Sequence, residues 1–123
     1  MAQVTLTEFL LARIAEDEAV AQAATPGPWF PNFTIHGDPT VVLDLRRPAF
    51  TKVASVTTAA ADYGRANNEH IARHDPARVL AECEAKRQAI EWATTGWSQT
   101  KGLLRLLALP YADHPDCLPE WKP

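Results

Sequence analysis

At 123 residues the chain is as long as one ordinary domain, with room for one modest core but not two. Hydrophobic residues make up 46% and charged residues 22%, which excludes a disordered chain, and a net charge of −3 gives no bulk attraction to a phosphate backbone. No apolar run approaches the roughly 18 residues that a membrane span requires.

The opening stretch, MAQVTLTEFLLARIAEDE, lacks a basic leader and reaches acid too early for a secretory signal, so a cytoplasmic setting is expected. Thr5 or Thr7 can cap a first helix, with Glu8 three residues after Thr5 as a capping-box partner. Leu6, Phe9, Leu10, Ile14 and Val20, with Ala21 and Ala24, trace its apolar stripe, and Glu16, Asp17 and Glu18 read as a solvated face. The helix is expected to run to about Ala24, because TPGP at 25–28 cannot continue it. Trp29, fixed just after that stiff break, is placed to plug the core.

Residues 33–36, 41–45 and 50–56 are short and β-branched or aromatic, separated by GDP at 37–39 and RRP at 46–48. They predict a three-stranded antiparallel meander. Val41, Leu43 and Leu45 would share a packed face, with Val42 and Asp44 on a wetter one. From Ala59 the pattern returns to helix, with a short segment over 64–74 carrying Ala66, Ile71 and Ala72 inward. Asp75 and Pro76 restart the helix, Asp as N-cap and Pro at the first helical position. Val79, Leu80, Cys83 and Ile90 mark the buried face of this helix, Arg78, Glu82, Lys86 and Glu91 its wet face, and Gly96 its stop.

Leu103, Leu104, Leu106, Leu107 and Leu109 give a last helix that is apolar around most of its circumference. Burial on several sides follows, inside the domain or in a homodimer through Leu103, Leu104, Leu106 and Leu107. The Pro-rich end, LPYADHPDCLPEWKP, is too apolar for a free tail and is expected to run extended and dock through Tyr111 and Trp121. The expected architecture is a single α+β domain over 1–123: helix, small sheet, packed helices and docked tail.

Three strings, AATPGPW at 23–29, HIARHDPARVLAECEAKR at 70–87 and LRLLALPYADHPDCLPEW at 104–121, resemble an actinobacterial and actinophage family of small proteins, domain-of-unknown-function family 6221. A Tyr often stands in that family where this chain has Cys117. The resemblance covers nearly the whole chain and implies a phage or prophage setting. It carries no activity, cofactor or catalytic residue with it.

The chemistry-bearing residues sort into two readings. His70 and His74 lie one helical turn apart and could share a metal ion, with Asp75, His114 or Cys117 completing the set, although Arg73 between them is a poor neighbour for a divalent ion. The more economical reading of the same string is a helix joint capped by Asp75, whose replacement by Ala would cost about 1 kcal/mol. No GxSxG, GxGxxG or GxxxxGK[ST] string occurs, so no catalytic residue and no cofactor is expected. Cys83 and Cys117 form no CxxC unit, and Cys83 reads as a small buried hydrophobe.

Residues 63–105 carry seven basic and five acidic groups, against four and seven in residues 1–62. That bias is too small to favour nucleic acid, which is an unlikely partner. Two readings stand: a non-enzymatic binding module for a host protein or a small anionic ligand, and, as the alternative, a small metal-binding protein or metal-dependent enzyme using His70 and His74. Trp29, His70, Arg73, Arg78 and His114 are the binding module's candidate contacts, through guanidinium forks and aromatic faces.

Overall fold

The computed structural model describes residues 4–34, 37–43, 52–56, 61–95 and 101–122. The element order is α1 (Leu6–Ala23), β1 (Phe30–Phe33), β2 (Pro39–Val42), β3 (Lys52–Ser55), α2 (Ala61–Arg73), α3 (Pro76–Thr95) and α4 (Lys101–Leu107). Short 3₁₀ turns follow at Leu109–Tyr111 and Pro119–Trp121. This is an α+β fold of the expected order. The chain divides into two compact units, Ala21–Leu80 and the pair Met1–Val20 with Ala81–Pro123.

Unit Ala21–Leu80 is built on an antiparallel sheet in the order β1-β2-β3. Phe30 pairs with Val42 and Phe33 with Pro39, so β1 begins three residues before the expected start. It ends at Phe33 because Thr34 opens the turn. The Thr34 Oγ1 accepts the Asp38 N–H at 3.1 Å, and Gly37 adopts φ +83°, a left-handed conformation open to glycine. Pro31 is tolerated because β1 is an edge strand, and Pro39 because it opens β2. His36, Asp44, Leu45 and Phe50 lie outside the described residues.

β2 is the central strand, and its Thr40, Val41 and Val42 are all buried. Successive side chains point to opposite faces, so β2 is covered on both. The expected wetter face at Val42 is therefore not found. Between β2 and β3 the register slips at Val41/Val42, a bulge that leaves Val53 without a partner in the ladder. Val41, Val56 and Ala72 form the buried cluster here, with half-buried Trp29 and Val53 packed on it. Trp29 is thus the core anchor its position suggested.

α2 packs on β1 and β2 through Gly64, Asn68 and Ala72, spaced four residues apart on one face. Of the inward set expected from the sequence only Ala72 is buried; Ala66 is exposed and Ile71 is 36% exposed. Asn68 is fully buried because its Nδ2 donates to the Asn32 carbonyl at 3.0 Å, satisfying edge-strand backbone that no other strand reaches.

The other unit uses most of α1, the later turns of α3, α4 and the Pro-rich end. Thr5 is the N-cap of α1: its Oγ1 accepts the Glu8 N–H at 3.1 Å and its carbonyl the Phe9 N–H at 2.9 Å. Phe9, Leu10 and Ile14 are buried, but Val20 is 72% exposed. Phe9 is covered by Trp121 and His114 at 5.2 and 5.6 Å between ring centres, and Val20 lies three turns beyond that cover. On α3, Cys83, Ile90 and Ala93 are buried; its expected stop, Gly96, lies outside the described residues.

The Pro-rich end docks, but it is not extended. Residues 108–121 fold into consecutive turns closed by backbone hydrogen bonds, including His114 N–H to Tyr111 O at 3.0 Å and Cys117 N–H to His114 O at 2.9 Å. Each proline sits where no N–H is needed, and the turns place Cys117 and Trp121 inward, both 8% exposed.

Candidate functional site

The joint between α2 and α3 holds most of the residues singled out by sequence. Asp75 caps α3: its Oδ1 accepts the Arg78 N–H at 2.9 Å. Its Oδ2 accepts the Trp29 N–H at 3.0 Å, which ties the chain after the TPGP break to the helix start. Gly27 is required there. A Cβ would lie 2.7 Å from Asp75 Oδ2 and 2.9 Å from Cγ, closer than contact allows. The Trp29 indole N–H is satisfied by the Thr25 carbonyl at 2.9 Å.

His70 and His74 are exposed and adjacent, 4.3 Å between ring centres with their planes tilted by 39°. The His74 Nδ1–H donates to the His70 carbonyl at 2.8 Å, one of the orphan carbonyls at the end of α2. With both Asp75 oxygens engaged in the cap, that carboxylate is not presented to the two imidazoles as a third ligand. Among the described residues no group of three or more His, Cys, Asp and Glu side chains is placed to hold a metal ion.

Trp29 and Arg73 do meet, in a shallow groove of about 170 Å³ with Pro31, Glu69 and Ala72. Arg78 reaches back toward the Arg73 carbonyl at 3.5 Å. His114 belongs to the other unit. Arg13 Nη1 lies on its ring edge, 3.0 Å from Nδ1 and 2.6 Å from Nε2, and Phe9 packs against it. The Asp116 N–H donates to the His114 Nδ1 at 3.0 Å. His114 thus organises the docked end.

A larger site went unread in the sequence. An open groove of about 810 Å³ lies in unit Ala21–Leu80, between the β1–β2 turn, β3 and the start of α2. Lys52 and Arg65 reach it from β3 and α2, and the Arg65 guanidinium sits over the Phe33 ring at 5.3 Å. Thr34 and Ser55 add hydroxyls, and Asp38 is the one acid among the described residues that line it. Neither Lys52 nor Arg65 has a carboxylate partner among the described residues. Phe33, Lys52 and Arg65 are far apart in sequence and form no motif. Only Arg65 falls within the slight basic excess after residue 62.

Of the α1 carboxylates expected on a solvated face, Glu16 is exposed there, whereas Asp17 and Glu18 are half-buried. Glu16 pairs with Arg13 at 2.8 Å, and Glu18 with Arg87, whose hydrogen bonds hold the Glu18 carboxyl below the usual range. Asp17 Oδ2 accepts the Tyr111 hydroxyl at 2.7 Å, and Lys86 Nζ donates to the same hydroxyl at 3.2 Å. Burial, then the bond to Asp17, raises the Tyr111 hydroxyl well above its ordinary value of 10.0. Burial, with Asp17 and Glu18 nearby, likewise pushes the Cys83 thiol up, which suits a packing role and not a nucleophile.

The raised Tyr111 value means that the folded state holds this proton after the unfolded chain has released it. Its contribution is complete below about pH 10 and is lost as pH rises further. Wild-type stability should therefore fall more steeply between about pH 10 and 12 than that of Tyr111→Phe, read by urea unfolding at each pH. Equal slopes would show that this hydroxyl is not held protonated by the fold.

A family model described as a family of unknown function, DUF6221, matches residues 3–123. The chain belongs to that family. No curated protein and no solved structure matches it.

Proposed function

We propose that this chain is a non-enzymatic binding module of phage or prophage type that captures a small anionic ligand in the groove of Phe33, Lys52 and Arg65. The observation that carries this reading is the state of the two cations. Arg13 and Arg87 are paired with carboxylates, whereas Lys52 and Arg65 share one open groove without such a partner among the described residues. A phosphate or carboxylate entering there meets an ammonium, a planar guanidinium steadied by the Phe33 ring, and the Ser55 hydroxyl. The Trp29–Arg73 groove is smaller and sets one cation against Glu69, where the larger groove sets two against Asp38, so it is the weaker site for an anion.

Calorimetric titration with inorganic phosphate and with a nucleoside monophosphate tests the reading. Lys52→Ala and Arg65→Ala should each weaken binding by about 10–100-fold, the scale of a hydrogen bond to a charged group. Arg65→Lys should recover only part of it, since the bidentate fork is lost. Binding indifferent to all three variants, or absent with both probes, would refute it. The phage or prophage setting is tested separately, by whether the gene lies in a phage or prophage cassette.

A second reading, a host-protein contact, is favoured by the exposure of large apolar side chains, above all Trp92 at 75% and Tyr63 at 66%. Pull-down from the native host with wild-type bait and with Trp92→Glu bait distinguishes it. A partner captured only by wild type supports this contact.

A further inference from the structure

The unit formed by Met1–Val20 and Ala81–Pro123 carries a second groove, of about 510 Å³. Its apolar lining comes from Val4, Phe9, Ala12, Leu118 and Trp121, and Val4 is 53% exposed. Its charge is acidic at the exposed edge. Glu8 is exposed, and the Asp116 side chain, 76% exposed, stands 3.7 Å from Arg13, which is itself 11% exposed and also bonded to Glu16 and His114, so the lining holds two acids against one largely covered cation. A partner that fits is apolar with a basic group beside the apolar residues.

One segment of the same unit has that chemistry. The stretch KGLLRLLALPY at 101–111 contains no acidic residue, and Arg105 is exposed on α4. Beside it Leu106 and Leu109 are 57% and 49% exposed, although both are large hydrophobes at the surface. We propose that this segment, residues 105–109, docks into the acid-edged groove of a second copy of the chain. Leu106 and Leu109 enter the apolar lining, and Arg105 meets Glu8 or Asp116. A two-fold axis makes the contact reciprocal, each copy giving a segment and receiving one.

Sedimentation equilibrium on the full chain tests this. Over about 5–500 µM the wild-type mass should rise from 13.6 kDa toward twice that value. Leu106→Glu removes the inserted side chain, and Ala12→Trp fills the groove from an exposed position on α1. Each variant alone should raise the dimer dissociation constant at least about tenfold, with circular dichroism confirming that both are folded. An equimolar mixture restores one intact contact, because the filled-groove copy still offers its segment to the open groove of the other. The mixture should therefore associate more strongly than either variant alone. A wild type monomeric throughout, unchanged association in the variants, or a mixture no stronger than its components would overturn the proposal.

Discussion

Trp121→Ala should cost about 3–5 kcal/mol of folding free energy, the usual range for emptying a buried tryptophan site. Trp121 is 8% exposed, and its ring packs against Phe9 at 5.2 Å between centres. That contact joins the Pro-rich end to the first helix. Around it lie Cys117, 8% exposed, and the His114 ring held by Arg13 and Phe9. Removing the indole opens a cavity and also releases chain that is ordered chiefly by docking. Since domains of this size are stable by about 5–15 kcal/mol, the loss is a large share of the whole. Urea unfolding should show a lower midpoint, while Trp121→Phe, which keeps the ring contact, should retain most of the stability. A loss below about 1 kcal/mol for the alanine variant would mean that the end does not anchor on Phe9.

Asp75→Ala should cost about 2–4 kcal/mol, more than the roughly 1 kcal/mol of an ordinary N-cap. The reason is the second bond. Asp75 is 8% exposed and accepts both the Arg78 and the Trp29 N–H groups, so its removal leaves a helix donor and a loop donor without an acceptor. Gly27→Ala should be harmful for a related reason, because its Cβ would press on the same carboxylate at 2.7 Å. The two effects are coupled. In the Asp75→Ala background the clash is gone, so the double variant should cost less than the two single costs combined. Additive costs would show that Gly27 and Asp75 do not meet as described.

What was legible in the sequence was local. Thr5 before an apolar stripe, TPGP after it, and Asp75 followed by Pro76 are decisions made within a few residues, and each marks a real boundary. The start of β1 was not legible, because Phe30 and Pro31 enter the sheet only by pairing with Val42 and Val41. Asn68 is polar and nothing local marks it as buried, yet it is covered where its amide donates to the distant Asn32 carbonyl. Asp17 and Glu18 read as solvent-facing because their partners, Tyr111 and Arg87, lie far along the chain. The same limit hid the candidate site. The paired histidines at 70 and 74 share a turn and draw the eye, whereas Phe33, Lys52 and Arg65 come together only when three elements fold around one groove. Of the contacts expected from sequence, Trp29 and Arg73 share a small groove, and His114 serves the other unit.

The most direct test of the anion-binding reading is amide chemical-shift mapping of the wild-type protein titrated with inorganic phosphate at constant ionic strength. The expected result is saturable shifts at Thr34, Gly37, Lys52, Ser55 and Arg65, the residues around the groove. Shifts confined to His70, Arg73 and Trp29, or no saturable shift anywhere, would contradict it.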